Sequence, residues 1–360
     1  MSGRHMKAWR LSRLGGALDL KEVPVPEPRP GSALVKIEAS SLMSYLRPYV
    51  EGKLPFYNPP QGEFTIGTNG IGVVEAVGRD VWRLKPGQRV ALSSHFVARE
   101  NVDDPEQVLI GLTAGAGAEA MLADWPDGTL AEYALVPVEA ATPLEGLDAR
   151  DAAELAVLSR FVIPFGGLLR GRLAPGETLV VTGATGAYGT AAVLLGAALG
   201  AAKIIAAGRD EKALTAAAQA GGPRVSSVTL TGAAEADAGR LRAAAGGGAH
   251  IAFDMVGNAA DPNATLAAML SLRRAGRLVL MGSMTVPLPV PYTAVMLNDW
   301  EILGQFMYPR SAARRLVELV RSGLLDMSPI RPSVFPIADL PQAMDAAATA
   351  GNLGCVVIKP

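Results

Sequence analysis

The stretch Val180-Val-Thr-Gly183-Ala-Thr-Gly186-Ala-Tyr-Gly189 decides the fold of this 360-residue chain. The apolar run Thr178 to Thr182 ends in three glycines spaced three apart, and an Ala/Leu-rich helical pattern follows at once. Glycine lets a strand turn sharply into a helix and lets the backbone approach a bound group closely. A helix start presents free N–H groups and the positive end of its dipole, which together suit an anionic pyrophosphate. The spacing is G-x-x-G-x-x-G rather than G-x-G-x-x-G, and a tight turn that binds nothing is the alternative. The pattern around the loop favours a dinucleotide held by Gly183, Thr185, Gly186, Ala187, Tyr188 and Gly189.

Outward from that loop, short apolar strands read at Thr178–Thr182, Lys203–Ala207, Val225–Leu230, His250–Asp254 and Arg277–Met281, with alanine-rich helices between them. Continuous apolar strands alternating with helices predict a parallel sheet covered on both faces. The second strand ends in Gly208-Arg209-Asp210-Glu211-Lys212. An acid at this tip holds the ribose diol of NAD, whereas arginine bonds a 2′-phosphate. Gly208, Arg209 and Lys212 therefore predict NADPH. The alternatives are a ribose contact from Asp210, or plain solvated loop charge.

Residues 6 to about 150 have another texture. Leu18–Val23 and Ala33–Glu38 alternate apolar and polar residues, as half-buried strands do. Gly70–Gly78, Gln88–Leu92 and Thr129–Val136 also read as strands, residues 94–128 as irregular, and Asp148–Leu158 as an alanine-rich helix. Residues 310–325 read as an amphipathic helix, and Gly354–Lys359 as a closing strand.

The chain is 49% hydrophobic and 19% charged, which excludes global disorder. A net charge of -1 points away from nucleic acid. The single cysteine, Cys355, excludes an internal disulfide and fits a reducing cytoplasm. Residues 1–5 read as a cloning scar before Met6 and contain His5, which leaves His95 and His250. The uncharged stretch Thr178–Ala202 is long enough to span a membrane, but strand, turn and helix explain it better, so no membrane is expected.

Five segments in order carry a resemblance: Leu20–Pro26, Gly67-Thr-Asn-Gly-Ile-Gly-Val-Val-Glu-Ala-Val-Gly78, Lys85-Pro-Gly-Gln-Arg-Val90, Thr129-Leu-Ala-Glu-Tyr133 and the glycine loop. From Met6 to Pro360 the chain resembles the medium-chain dehydrogenase/reductase superfamily. That resemblance implies an α/β fold, a Rossmann doubly wound parallel sheet plus a GroES-like mainly-β catalytic domain. The implied division is residues 6–149, 150–290, and a 291–360 edge segment that returns to the first domain. Zinc-dependent members place a Cys where this chain has Met43, and Gly-His-Glu where it has Gly67-Thr68-Asn69. Their later Cys falls at Leu158-Ser159, and their four-Cys lobe at residues 94–128, which contain no Cys. The resemblance is therefore to the zinc-free branch of quinone oxidoreductases and enone reductases, with NADPH and without zinc.

In that branch Met43 and Asn69 would line the substrate pocket. Tyr49, Tyr57 and His95 are the candidate proton donors, each with a packing role as its alternative. Val256, Gly282, Ser283 and Phe306 would approach the nicotinamide end. The expected reaction is hydride transfer to a small-molecule enone, enal or quinone, because an enolate needs only hydrogen-bond donors to form. A carbonyl or imine reductase, and a dinucleotide-binding protein with little turnover, remain open. Val286–Gly304 resembles the edge that pairs two subunits, so a homodimer is expected.

Overall fold

The computed structural model describes residues 3–360, so Met1 and Ser2 of the expected scar lie outside the described residues. The chain forms two compact units. One comprises Met1–Ser159, Arg331–Ala350 and Gly354–Pro360; the other comprises Arg160–Ile330 and Gly351–Leu353. These divisions fall at 159/160 and 330/331 rather than at the expected 149/150 and 290/291.

The first unit opens with β1 (His5–Leu11), antiparallel to β2 (Leu18–Pro24). Strand β3 (Ser32–Ser41) follows, then α1 (Leu46–Val50), β4 (Phe64–Thr65), β5 (Asn69–Val77) and β6 (Arg89–Leu92). β4 joins the outer side of β1. β3 is buried along almost its whole length and pairs antiparallel with β5, which pairs with β6.

Residues 94–128 are ordered rather than irregular. They form an antiparallel meander of β7 (His95–Val97), β8 (Gln107–Leu109) and β9 (Thr113–Ala114), then α2 (Glu119–Asp124). Strands of two or three residues are too short for a periodicity to show in sequence. The rings of Phe96 and Trp125 meet edge-on at 6.1 Å and belong to the core shared with β3, β5 and β6. β10 (Tyr133–Pro137) pairs with β3 and starts later than Thr129, because the backbone of Leu130 bonds Trp9 and Ile66 instead. β11 (Ala141–Pro143) pairs with β6, and α3 (Ala152–Ala156) is capped by Asp151.

The second unit is the expected α/β array. α4 (Leu158–Arg170) precedes β12 (Thr178–Thr182), α5 (Ala187–Ala198), β13 (Lys203–Gly208), α6 (Glu211–Gly221) and β14 (Val225–Thr229). Next come α7 (Ala234–Ala244), β15 (Ala249–Asp254), α8 (Asn263–Leu270), β16 (Leu272–Leu280), α9 (Tyr292–Asn298), β17 (Glu301–Gly304) and α10 (Ala312–Arg321). The six strands are all parallel in the order β14-β13-β12-β15-β16-β17. That order reverses direction between β12 and β15, where doubly wound sheets open a crevice at their carboxyl ends. Every residue of β12 is buried, as a strand covered on both faces requires. Thr178–Ala202 is thus strand, turn and helix, while Ala152–Arg170 is apolar and long enough to cross a membrane but mostly buried within the protein.

The chain then returns to the first unit through β18 (Arg331–Pro336), α11 (Leu340–Thr349) and β19 (Gly354–Lys359). β19 lies antiparallel to β3 and parallel to β18, extending the larger sheet to β11-β6-β5-β3-β19-β18 with β10 also on β3.

Candidate functional site

A cavity of about 390 Å³ opens at the carboxyl ends of β12, β13, β14 and β15. Gly183, Thr185 and Gly186 follow β12; Gly208 and Arg209 close β13; Met255, Val256 and Gly257 follow β15. The expected contacts Gly183, Thr185, Gly186, Gly208, Arg209 and Val256 therefore meet in one place. Sequence reading missed Leu230 and Gly232 after β14, Asp237 on α7, and Asn258 to Asp261 after β15. For all but Asp237 the signal was present: these residues follow the ends of legible strands, where ligand loops sit.

The glycines earn their places by geometry. Gly183 has φ +70°, and a Cβ there would stand 2.7 Å from the backbone of Met255. A Cβ on Gly189 would press into the Gly183 carbonyl, so this glycine seats α5 against the turn rather than lining the cavity. A Cβ on Gly186 would meet only ordinary contact at 3.4 Å, so its bare face is free for a ligand. Gly208 lies under the Thr185 methyl, 2.6 Å from a built Cβ.

The other expected cofactor residues are not among those that line this cavity. Ala187 opens α5, and Tyr188 faces the buried Arg160, whose guanidinium lies 5.9 Å from the ring centre. Lys212 is exposed on α6, Phe306 is 55% exposed, and Gly282 packs on the Val256 backbone. Ser283 comes nearest: its Oγ would be 2.9 Å from a Cβ on the cavity residue Gly257. Asp210 is committed to capping α6, accepting from the Ala213 N–H at 3.0 Å, so it is not a free strand-tip acid.

Two buried carboxyl groups shape the cavity walls. Asp254 ends β15 and accepts from Thr182 Oγ1 at 2.6 Å and from Thr265 Oγ1 at 3.0 Å. Burial pushes its carboxyl above the usual range, and the two hydroxyls and the Val256 N–H oppose that rise. Asp254 thus ties the glycine turn to the loop after β15 without facing a ligand. Asp237 accepts from the N–H of Thr231, the N–H of Gly232 and the Thr231 hydroxyl, and pairs with Arg240. Burial works against its charge, but these donors together hold its carboxyl below the usual range. They also fix the loop after β14.

In the first unit the three expected proton donors separate. Tyr49 is fully buried, and its hydroxyl donates to the Leu112 carbonyl at 2.6 Å. Its phenol is spent on the core, so it is withdrawn as a proton donor. His95 is 8% exposed, and its Nε2 lies 2.9 Å from Gln107 Oε1 across the β7–β8 pair, a structural tie. Tyr57 is half-buried, with its ring 5.3 Å from Tyr49 and 6.2 Å from Tyr45. Burial raises the Tyr57 phenol above the usual tyrosine range, while a hydrogen bond with Tyr45 pulls the other way. Met43 is buried. The Asn69 side-chain amide donates to Thr68 Oγ1 at 3.0 Å, and the Asn69 backbone carbonyl accepts from Thr129 Oγ1 at 3.1 Å.

Among the described residues no three His, Cys, Asp or Glu side chains gather as a metal-binding group. Met43, Thr68 with Asn69, and Leu158 with Ser159, at the positions where the resemblance places zinc ligands, offer thioether, hydroxyl, amide and alkyl groups. Zinc usually takes thiolate, imidazole or carboxylate, and these side chains offer none of the three.

Two family models match the chain, the alcohol dehydrogenase GroES-like domain over residues 29–146 and the zinc-binding dehydrogenase model over residues 187–322. Among curated relatives, the NAD-dependent alcohol dehydrogenase of Sulfurisphaera tokodaii is 26% identical, with 98% of each chain covered. The sorbitol dehydrogenase of Bacillus subtilis is 26% identical over 92% of this chain and 90% of its own. A cobalt- and zinc-bound thermostable alcohol dehydrogenase from Pyrobaculum aerophilum shares the fold at a TM-score of 0.76 and 21% identity, covering 99% and 100% of the two chains.

These findings correct the cofactor expectation. NADPH without zinc is not what such relatives describe: the matching model is a zinc-binding one, one relative is named NAD-dependent, and one structure holds cobalt and zinc. The exclusion of zinc and the choice of NADPH are both withdrawn. The quinone and enone branch gives way likewise, because the relatives are alcohol and polyol dehydrogenases. A Rossmann sheet of β14-β13-β12-β15-β16-β17 order and a GroES-like unit, each matched by its own model, make this chain an oxidoreductase of the medium-chain dehydrogenase/reductase superfamily.

Proposed function

We propose that the chain interconverts a small alcohol and its carbonyl compound, using a nicotinamide dinucleotide, NAD or NADP. The observation that carries this reading is the cavity after β12 to β15, where Gly186 leaves backbone uncovered at the start of α5. The dinucleotide supplies, when bound, the hydride donor or acceptor. The chain's own part is to hold it. Free N–H groups at the start of α5 face the diphosphate, and Arg209 adds positive charge at the rim. The names of the relatives favour alcohol and carbonyl chemistry over enone reduction.

Interconverting an alcohol and a carbonyl also moves a proton at the substrate oxygen. His95 is tied to Gln107 and the Tyr49 phenol to the Leu112 carbonyl, which leaves Tyr57 among the three expected donors. A tyrosine phenol is protonated at neutral pH, the state a proton donor needs. We assign Tyr57 this role, with Tyr45 positioning it.

We also propose pairing of two copies along β17. Among the described residues β17 pairs only with β16, and α9 beside it buries no residue. Tyr292 is 79% exposed, Leu297 65% and Met296 56%, an apolar surface that a second copy would cover.

Product analysis tests the main reading. The protein is incubated with NAD or NADP and a panel of secondary alcohols, and separately with each reduced dinucleotide plus ketones and a cyclic enone. Ketone from alcohol, and alcohol from ketone, is the expected result. Saturated ketone from the enone, with no carbonyl turnover, would restore C=C reduction. Tyr57→Phe should lower kcat about 10²-fold while dinucleotide affinity stays unchanged.

A further inference from the structure

A larger cavity than the dinucleotide cavity lies elsewhere. A groove of about 570 Å³ runs within the GroES-like unit, between the β7–β9 meander and α2. That volume falls in the range of small-molecule sites. Its floor is apolar: Phe96 and Trp125 meet edge-on, with Met121 beside them. Val102, 58% exposed, stands at its side without cover.

The charges around this floor do not balance. Arg29 and Arg99 both line the groove, yet Arg29 is paired with Asp124, and Arg99 with Glu139. Glu100, Asp104 and Glu106 also line it, and none of them has an ion-pair partner among the described residues. The rim therefore carries three uncompensated carboxylates above an aromatic floor. Arg29 already shows what this floor accepts, since its guanidinium stacks on Trp125 at 4.0 Å from the ring centre while bonding Asp124. Aromatic faces attract cations, and neighbouring carboxylates add to the attraction.

We propose that this groove binds a small organic cation, a primary ammonium carried on an aromatic body. The aromatic part lies on Phe96 and Met121, and the ammonium faces Glu100, Asp104 and Glu106. An anion of the same shape would meet repulsion from all three carboxylates, and a neutral analogue would lose their attraction. The site is separate from the dinucleotide cavity, none of whose lining residues it shares.

Calorimetric titration of the full-length protein tests this with three probes of one shape: phenethylammonium, 2-phenylethanol and phenylacetate. The ammonium should bind about fivefold or more tightly than the alcohol, and the anion more weakly still. The Glu100→Gln, Asp104→Asn, Glu106→Gln triple variant changes only exposed side chains, so folding is not at stake. It should bring the ammonium down to the alcohol's affinity. Ala120→Trp, which fills the groove, should abolish binding of all three probes. Equal affinity for the three probes, or an ammonium affinity indifferent to the triple variant, would overturn the proposal. So would tighter binding of penta-lysine than of phenethylammonium, which would give the groove to a basic protein segment.

Discussion

Two alanine substitutions three residues apart separate the fold of the glycine turn from its ligand. Gly183→Ala adds a methyl where φ is +70° and where the Met255 backbone stands 2.7 Å away. The left-handed conformation costs a non-glycine residue about 1–2 kcal/mol. Forcing a methyl against backbone that must move costs about 1–3 kcal/mol more. The sum, about 2–5 kcal/mol, is a large part of the roughly 5–15 kcal/mol that holds a domain folded. Urea denaturation should show that loss directly. Gly186→Ala is the contrast. Its backbone is extended, with φ -94° and ψ 164°, and its nearest neighbour is an ordinary 3.4 Å away. Stability should move by less than about 1 kcal/mol, since only a glycine N-cap is replaced. Dinucleotide affinity should nevertheless fall about tenfold or more, because the methyl holds the diphosphate off the N–H groups behind it. If Gly183→Ala unfolds at the parent's urea midpoint, the close approach of the two strand-end loops is wrong. If Gly186→Ala binds NAD and NADP as the parent does, the phosphates sit elsewhere.

Three further outcomes follow from the same structure. Thr182→Val removes a hydroxyl that favours ionised Asp254, and should cost about 1–3 kcal/mol in denaturant titrations. Asp254 already binds its proton more tightly folded than unfolded, so it contributes less stability as pH rises past the usual carboxylate range. The variant's deficit should not shrink between pH 5 and pH 8, and a smaller deficit at pH 8 would refute the hydroxyl's support of the ionised form. His250 is pushed the other way: desolvation first, then Arg273 and Arg277, lower its pKa, and its Nδ1 accepts from the Thr178 N–H at 3.0 Å. The unfolded chain then takes up the proton first, so stability should fall as pH drops below about 6.5. His250→Gln should flatten that part of the profile, measured by urea midpoints between pH 5 and 7.5. Leu297→Glu, in the apolar surface beside β17, should shift sedimentation from dimer to monomer without changing the melting of the monomer.

Long-period features were legible in the chain and short or distant ones were not. The five strands read between Thr178 and Met281 all lie in the sheet; β12, β13 and β15 are buried almost throughout and write continuous apolar runs, whereas β14 at the sheet edge is part-exposed and β16 begins five residues before its expected start. β7 to β9 were invisible because two or three residues carry no period. Gly183, Gly186 and Gly208 could be named because a bare backbone at a turn has only glycine as its residue. Tyr49 could not be told from Tyr57 by sequence. Both are tyrosines near the same short helix, and only the Leu112 carbonyl, 63 residues from Tyr49, marks Tyr49 as the core anchor. Composition likewise could not say that Asp210 caps α6, since a capping acid and a ribose-binding acid occupy the same place in the string.

The sequence by itself determined the alternation of strand and helix, the glycine turn, the parallel sheet, and the presence of a β-rich unit before it. These follow from side-chain period and backbone freedom, which are local properties. Tertiary structure alone decided which strand ends share a cavity, which carboxyl groups are buried under hydroxyl and N–H donors, and which tyrosine hydroxyl is already bonded. Each of those depends on partners brought together from far along the chain, such as Thr182 and Asp254, 72 residues apart, and no local pattern records them.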